Sequence, residues 1–304
     1  MISVIVCTYN RCESLRDTLN ALKGQAMDHE VAFEVIVVDN NSTDGTKAVV
    51  TEAARESRWP IRYVFESAQG LSHARNRGIQ EAQGEIVAFT DDDVVPDARW
   101  VEALAQAFLS ESADCVGGRV KPLWGVPPPK WLEEAIQAKR FLAVFSLFDR
   151  GDTVIVADTP DPTVAYGANM AFRKSVFDTL GLFRIDLGVT GTVHRLGEDT
   201  DMVERCFLAG KRTVYTPHAI VYHKIPTARM QKRYLRNWKY LQGQSSAPER
   251  FDWRLIKDCA RDAARALAAY ARGAGDLGLV YEAASWVSLG RLLEVSRRRT
   301  ARQG

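Results

Sequence analysis

Three carboxylates in a row, Asp91, Asp92 and Asp93, follow Thr90 in the stretch GEIVAFTDDDVVPD. Four apolar residues precede them, Ile86 to Phe89, a run of the kind that fills a buried strand. Like charges set side by side repel, so a strand end carrying three of them calls for a counter-charge. Mg²⁺ and Mn²⁺ can supply it, because both favour carboxylate oxygen and share their sites with substrate phosphates. In open α/β sheets, ligands bind beyond the carboxyl ends of the strands. The triplet is therefore expected to hold a metal–diphosphate, with Mn²⁺ or Mg²⁺ as cofactor. The alternative is a solvated acidic turn closed by Pro96 and Asp97.

A second acidic pair, Glu198 and Asp199, opens the stretch GEDTDMVERCFLAG. Met202, Val203, Cys206 and Phe207 recur at helical spacing, which puts the pair in the loop or first helical turn. Acids are routine there, since the helix dipole favours negative charge. Next to a diphosphate site they gain a second reading, as a general base standing apart from the cation-binding acids. Asp201 is read as a solvated helix residue.

These groups are far apart along the chain, so the elements between them must bring them together. Ile2 to Val6, Phe33 to Val38, Ile61 to Phe65 and Ile86 to Phe89 are near-continuous apolar runs. Helical patterns alternate with them: Leu15, Leu19 and Leu22, then Thr46 to Glu56, then Leu71 to Ala82. Alternation of this kind predicts an α/β fold with a mostly parallel sheet and helices on both faces. Polar clusters follow the first, second and fourth strands, so all three are expected at one sheet edge. Thr8, Tyr9, Asn10 and Arg11 come from the first cluster, Asp39 and Asn41 from the second, and Asp91 to Asp93 from the last.

No GxGxxG follows the first strand and no GxxxxGK[ST] occurs, so neither a Rossmann dinucleotide site nor a P-loop is expected. Side chains would hold a nucleotide instead. Asp39 can accept a base N–H, the Tyr9 ring can stack on a base, and Arg75 can pair with phosphate or with an acidic partner. For Asp39 the competing reading is a helix cap or an Asx turn.

SVIVCTYNR, VIVVDNNSTDGT, GLSHARNRGI and GEIVAFTDDDVVPD, in this order and at this spacing, resemble the family 2 glycosyltransferases of the GT-A fold; GEDTDMVERCFLAG adds a fifth motif. The resemblance runs over residues 1 to 225. It implies a nucleotide-diphosphate sugar as donor, a UDP-sugar foremost, and transfer with inversion. It also implies that Asp39 meets the base, that Thr8 and Tyr9 line the pocket, and that Arg75 helps hold the nucleotide. Asp92 would face the ribose and Asp93 would ligate the metal. Asp91 is shared between the two roles, because TDDD does not align uniquely with the family's acids. Inversion needs a base that takes the acceptor's hydroxyl proton; the resemblance gives this to Asp199, with Glu198 in support. His223, closing AIVYH, would complete the metal site or contact the diphosphate, although a lone histidine is more often structural. Gly167 and Asn169 in GANMAFR resemble the strand beside the acceptor pocket, where small residues let a substrate approach the backbone.

Further helices and strands are expected from Asp97 to Leu109, Cys115 to Val120, Arg212 to Tyr215 and Ala219 to His223. Trp124 with Pro127, Pro128 and Pro129 marks a loop, and Trp124 is a third candidate sugar contact. Trp131 to Phe148 reads as an apolar helix, either core or the wall of an acceptor groove. Catalytic residues 1–243 would divide into a nucleotide half to about 120 and an acceptor half beyond it, followed by a helical extension, 244–304. There, basic residues with Trp and Leu suit contact with an anionic membrane surface; the alternative is a helical pair packed on the catalytic domain.

Bulk properties bound the rest. The chain has 304 residues, a net charge of +2 and five scattered cysteines. Nucleic acid is therefore not an expected partner, and a reducing cytoplasm is the expected setting, with peripheral contact at the inner face of the membrane. No run reaches the ~18 apolar residues of a membrane span. The acceptor is expected to be a saccharide or a lipid-linked saccharide in surface polysaccharide or glycoconjugate synthesis. Two other functions stay open: a sugar-1-phosphate nucleotidyltransferase and a non-catalytic sugar-nucleotide-binding protein.

Overall fold

The computed structural model describes residues 1–27, 31–157, 164–190, 193–195, 197–248 and 252–301. Two compact units emerge. The first comprises Met1–Leu123, Ser146–Val193 and Gly197–Lys224; the second comprises Trp124–Phe145, His194–Leu196 and Ile225–Gly304. The division after Lys224 differs from the expected boundary near residue 243.

The element order begins β1 (Ile2–Thr8), α1 (Cys12–Lys23), β2 (Phe33–Asp39), α2 (Thr46–Glu56), β3 (Ile61–Phe65), α3 (Leu71–Glu81) and β4 (Ile86–Asp91). It continues β5 (Val94–Pro96), α4 (Trp100–Ser110), β6 (Cys115–Trp124), α5 (Lys130–Gln137), β7 (Ile155–Val156), β8 (Asn169–Arg173) and α6 (Lys174–Leu180). It ends β9 (Gly188–Thr190), β10 (Val193–Arg195), α7 (Glu198–Leu208), β11 (Thr213–Ile225), α8 (Lys232–Ser245), α9 (Arg254–Ala271) and α10 (Gly275–Ala301).

The main sheet runs β3-β2-β1-β4-β8-β6-β11-β5, with β7 also on β11. It is mixed. β3, β2, β1 and β4 are parallel, whereas β8 pairs antiparallel with β4 and with β6, and β5 antiparallel with β11. Every residue of β2 is buried, as a strand covered on both faces requires. Successive side chains alternate between faces. Val4 and Val6 join one apolar cluster with Leu15, Leu19 and Trp100, while Ile5 joins another with Ala74, Ile79 and Phe89.

Two expected elements differ. Residues 131 to 148 are not one helix: α5 stops at Gln137, and only a 3-10 turn, Leu142–Phe145, follows. Lys139, Phe141 and Ser146 all have positive φ, which a continuing right-handed helix excludes. Conversely, the two strands expected on either side of Pro217 are a single strand, β11. Its short partners pair at Val214–Tyr215 and at Val221–His223, so Pro217 falls between them.

In the second unit α8, α9 and α10 pack as a helical group. Gly243 lets α8 and α10 meet closely, because a Cβ there would lie 2.1 Å from the Val287 carbonyl oxygen. Glu282 accepts from Arg236 and, at 2.6 Å, from the Tyr270 hydroxyl, tying α10 to both neighbours. Among the described residues, no helix is long and apolar enough to cross a membrane.

Candidate active site

The parallel strands end in register. Thr8 stands beside Asp39 and Cys7 beside Asp91, so the polar clusters of β1, β2 and β4 share one edge of the sheet. The first two loops are tight. Asn10 and Asn41 take φ of 52° and 74°, a region asparagine tolerates better than most residues. The loops fasten to each other: the Asn10 N–H donates to Ser42 Oγ at 2.9 Å, and Asn10 Oδ1 accepts from the Thr43 N–H at 2.8 Å. Asp39 is buried. Its oxygens accept from the Ser42 N–H at 2.9 Å and the Tyr63 hydroxyl at 2.8 Å. The Asx-type local bond and a binding role coexist here, since a carboxylate has further lone pairs. Tyr9 follows the Thr8 that pairs with Asp39, and it is 44% exposed.

The chain turns at Asp92 and Asp93 before β5, so strand alternation does not carry through the triplet. Each aspartate finds a different partner. Asp92 is buried, accepting from Thr8 Oγ1 at 2.8 Å and from Arg11 at 3.1 Å. Burial pushes its carboxyl up to about 6, against the pull of Arg11. Arg11 also reaches Asp93 at 3.0 Å, and His223 Nε2 lies 3.3 Å from the other Asp93 oxygen. Asp91, whose side chain remains 35% exposed, faces Arg75 at 3.9 Å.

Arg75 joins the two acidic centres. It sits on α3, 3% exposed, with Glu198 at 2.7 Å on one side and Asp91 on the other. The Phe183 ring lies 5.5 Å from its guanidinium carbon. Burial first, and Asp199 second, raise the Glu198 carboxyl above the usual range, while Arg75 holds it down. Asp199 is next. Its Oδ2 accepts the Gly167 N–H at 2.9 Å and its Oδ1 the Thr200 N–H at 2.8 Å. A Cβ on Gly167 would lie 2.8 Å from Arg75 and 3.1 Å from Asp199. Close approach at this glycine is therefore made by the protein's own side chains.

The expected metal trio does not assemble. Asp93 and His223 meet, whereas Asp91 turns to Arg75, and among the described residues no three His, Cys, Asp or Glu side chains are grouped to hold an ion. The Asp93–His223 pair still fits Mn²⁺ or Mg²⁺ by its donor chemistry, provided that diphosphate and water supply the remaining ligands.

Asn169 is corrected outright. It is fully buried; its oxygen accepts from the Trp100 indole N–H at 2.8 Å, and its amide donates to the carbonyls of Arg119 and Ala219. It holds α4, β6 and β11 together and does not face a sugar. Trp124 closes β6 and belongs to the second unit. Three side chains bordering the group are not singled out by sequence. Tyr63 holds Asp39. Tyr166 precedes Gly167, and its hydroxyl is raised by burial and then by Asp199. The Cys7 thiol is pushed up to about 12 by burial. What marks a site residue in the sequence is its place in a polar cluster just after a strand, and these three lie outside such clusters.

Known proteins bear on this arrangement. The family described as glycosyl transferase family 2 matches residues 3–181. The succinoglycan biosynthesis protein ExoM of Rhizobium meliloti is 27% identical over 245 residues, covering 80% of this chain and 73% of that protein. The glucosyl-dolichyl phosphate glucuronosyltransferase of Haloferax volcanii is 27% identical over 248 residues, covering 80% and 75%. Among solved structures, the mannosyltransferase PcManGT from Pyrobaculum calidifontis, in complex with GDP-Man and Mn²⁺, has a TM-score of 0.57 at 21% identity, covering 99% of this chain and 74% of that one. S. aureus TarS 1–349 in complex with UDP-GlcNAc has a TM-score of 0.52 at 18% identity, covering 98% and 92%. At these identities the structural likeness concerns the fold.

Proposed function

This chain belongs to glycosyl transferase family 2, and on that premise we propose that it moves a sugar from a nucleotide-diphosphate donor to a saccharide acceptor, lipid-linked or free, with inversion. The observation that carries the reading is Arg75, with Asp91 on one side and Glu198 on the other. One buried guanidinium between the acid that closes β4 and the acids that open α7 supports reading them as a single site.

Asp199 is the base in this reading. Two backbone N–H groups orient its carboxylate, and it takes the proton from the attacking acceptor hydroxyl. Glu198 and Arg75 position it from behind. On the donor side, Asp39 and Tyr9 address the base, while Asn10, Asn41 and Arg11 shape the loops around the nucleotide. Thr8 acts by holding Asp92. Five carboxylates, Asp91 to Asp93, Glu198 and Asp199, share the site with two arginines, and that imbalance favours a further cation. Asp93 and His223 would hold Mn²⁺ or Mg²⁺, which when bound neutralises charge growing on the departing diphosphate. The names of the two relatives favour a role in surface polysaccharide or glycoconjugate synthesis.

The test is nucleotide release from UDP-, GDP- and dTDP-sugars with and without Mn²⁺, for wild type and Asp199→Asn. One donor should turn over only with metal. Asp199→Asn should lose about a hundredfold or more in rate while still binding that donor. Turnover by the variant at wild-type rate would refute the assignment of the base. Release of pyrophosphate from a nucleoside triphosphate would instead mark a nucleotidyltransferase.

A further inference from the structure

The second unit carries a helix with three distinct faces. Leu255, Asp262, Ala266 and Ala269 of α9 are buried. Its outward side is not uniformly polar. Trp253, Ile256, Ala260, Ala264 and Leu267 are all exposed and follow one another at three- or four-residue steps, which aligns them along the helix. Trp253 is 71% exposed and Leu267 72%. Arg254, Lys257, Arg261 and Arg265 form a parallel ribbon along one flank of that stripe.

We propose that this face of α9 lies on an anionic lipid surface. A helix settles into the headgroup boundary when an apolar strip carrying Trp and Leu is bordered by Lys and Arg, and α9 presents both. Charge complementarity selects the partner. Between Asp252 and Arg272 there are five basic residues against three acidic ones, a surplus that remains although all three acids pair with the ribbon. Anionic headgroups attract such a ribbon over about one Debye length. Within the ribbon Arg261 meets Asp258 at 2.7 Å and Asp262 at 3.1 Å, whereas the ion pairs of Arg254 and Arg265 are long, 3.9 Å each. Basic residues elsewhere in this unit are also paired. Arg236 is paired with Glu282, and Arg297 and Arg298 with Glu294. The assignment does not depend on the sugar-transfer reading.

The experiment is co-sedimentation of the full chain with phosphatidylcholine vesicles, alone or containing about one third phosphatidylglycerol, with no donor present. The protein should pellet with the anionic vesicles only, and should be released as salt rises to about 0.5 M. Trp253→Ser/Leu267→Ser and, separately, Arg254→Glu/Lys257→Glu should each weaken binding about tenfold or more without lowering the melting temperature. The second pair decides if the first melts early. Failure to bind anionic vesicles, or binding untouched by the charge reversal, overturns the proposal. So does a concentration-dependent dimer, lost in Trp253→Ser/Leu267→Ser, in a protein that ignores vesicles.

Discussion

Arg75 stands buried between two acids, Asp91 and Glu198. Removing one partner of a buried ion pair strands the other, at a cost of about 3–5 kcal/mol. Arg75→Gln should therefore melt well below wild type at pH 8. The pH dependence has a definite sign. The Glu198 carboxyl is already raised in the folded protein, and losing Arg75 raises it further. A folded-state rise means that the ionised form costs stability, and that protonation below the folded pKa restores it. The melting gap between variant and wild type should accordingly narrow as pH falls from 8 towards 5; a constant gap would contradict the pairing. Gly167 offers a sharper probe. A Cβ added there would stand 2.8 Å from Arg75 and 3.1 Å from Asp199, so Gly167→Ala displaces one of them. Arg75 is buried and cannot swing clear, so kcat should drop about tenfold or more while stability changes by roughly 1–3 kcal/mol. Unchanged kinetics would mean that the contact is not part of the working site.

At the level of elements, α3 is aligned by its approach to β1. A Cβ on Gly78 would lie 2.6 Å from the Ile5 side chain. Gly78→Ala should push the helix outward, costing about 1–3 kcal/mol, and should shift Arg75, which sits about one turn earlier on the same helix. Ile5→Ala in the same chain should recover activity before it recovers stability, which paired thermal melts and rate assays would reveal. This scale also shows what the residue order could and could not tell. The strands β1, β2 and β4 were legible because each is a near-continuous apolar run, and burial on both faces writes that pattern directly. Residues 131 to 148 misled because an apolar stripe reports burial and not φ; the positive φ at Lys139, Phe141 and Ser146 has no glycine to announce it. Pro217 misled in the opposite direction. Proline argues against strand continuity, yet a gap between two short partners removes the conflict. Asn169 reads as a ligand contact because GANMAFR resembles the family's strand beside the acceptor pocket, and a resemblance of that kind does not report neighbours. Only the folded neighbourhood reveals Trp100, Arg119 and Ala219.

Across the whole molecule the charge balance governs how the protein should answer to metal. Arg11 already bridges Asp92 and Asp93, so the folded chain supplies its own counter-ion. EDTA should leave the melting temperature of donor-free protein unchanged. Mn²⁺ together with a nucleoside diphosphate should raise it more than either does alone, by mass action on a shared site. A large loss of stability with EDTA alone would indicate a structural ion instead. That Thr8, Asp39 and Asp91 to Asp93 share one sheet edge was foreseeable from topology, because strand ends in a parallel layer lie together; Asp199, which opens α7, lies outside that argument. The grip of Arg75 on both acid groups was foreseeable only as one of two options, phosphate or carboxylate.

The wholly interior amide of Asn169 bears on anyone who would retune this transferase for new donors. Position 169 is a rivet through three secondary structures, and libraries that randomise it would mostly return misfolded protein. Diversity is better directed to Tyr9, which is 44% exposed beside the loop-fastening Asn10 and holds no such rivet.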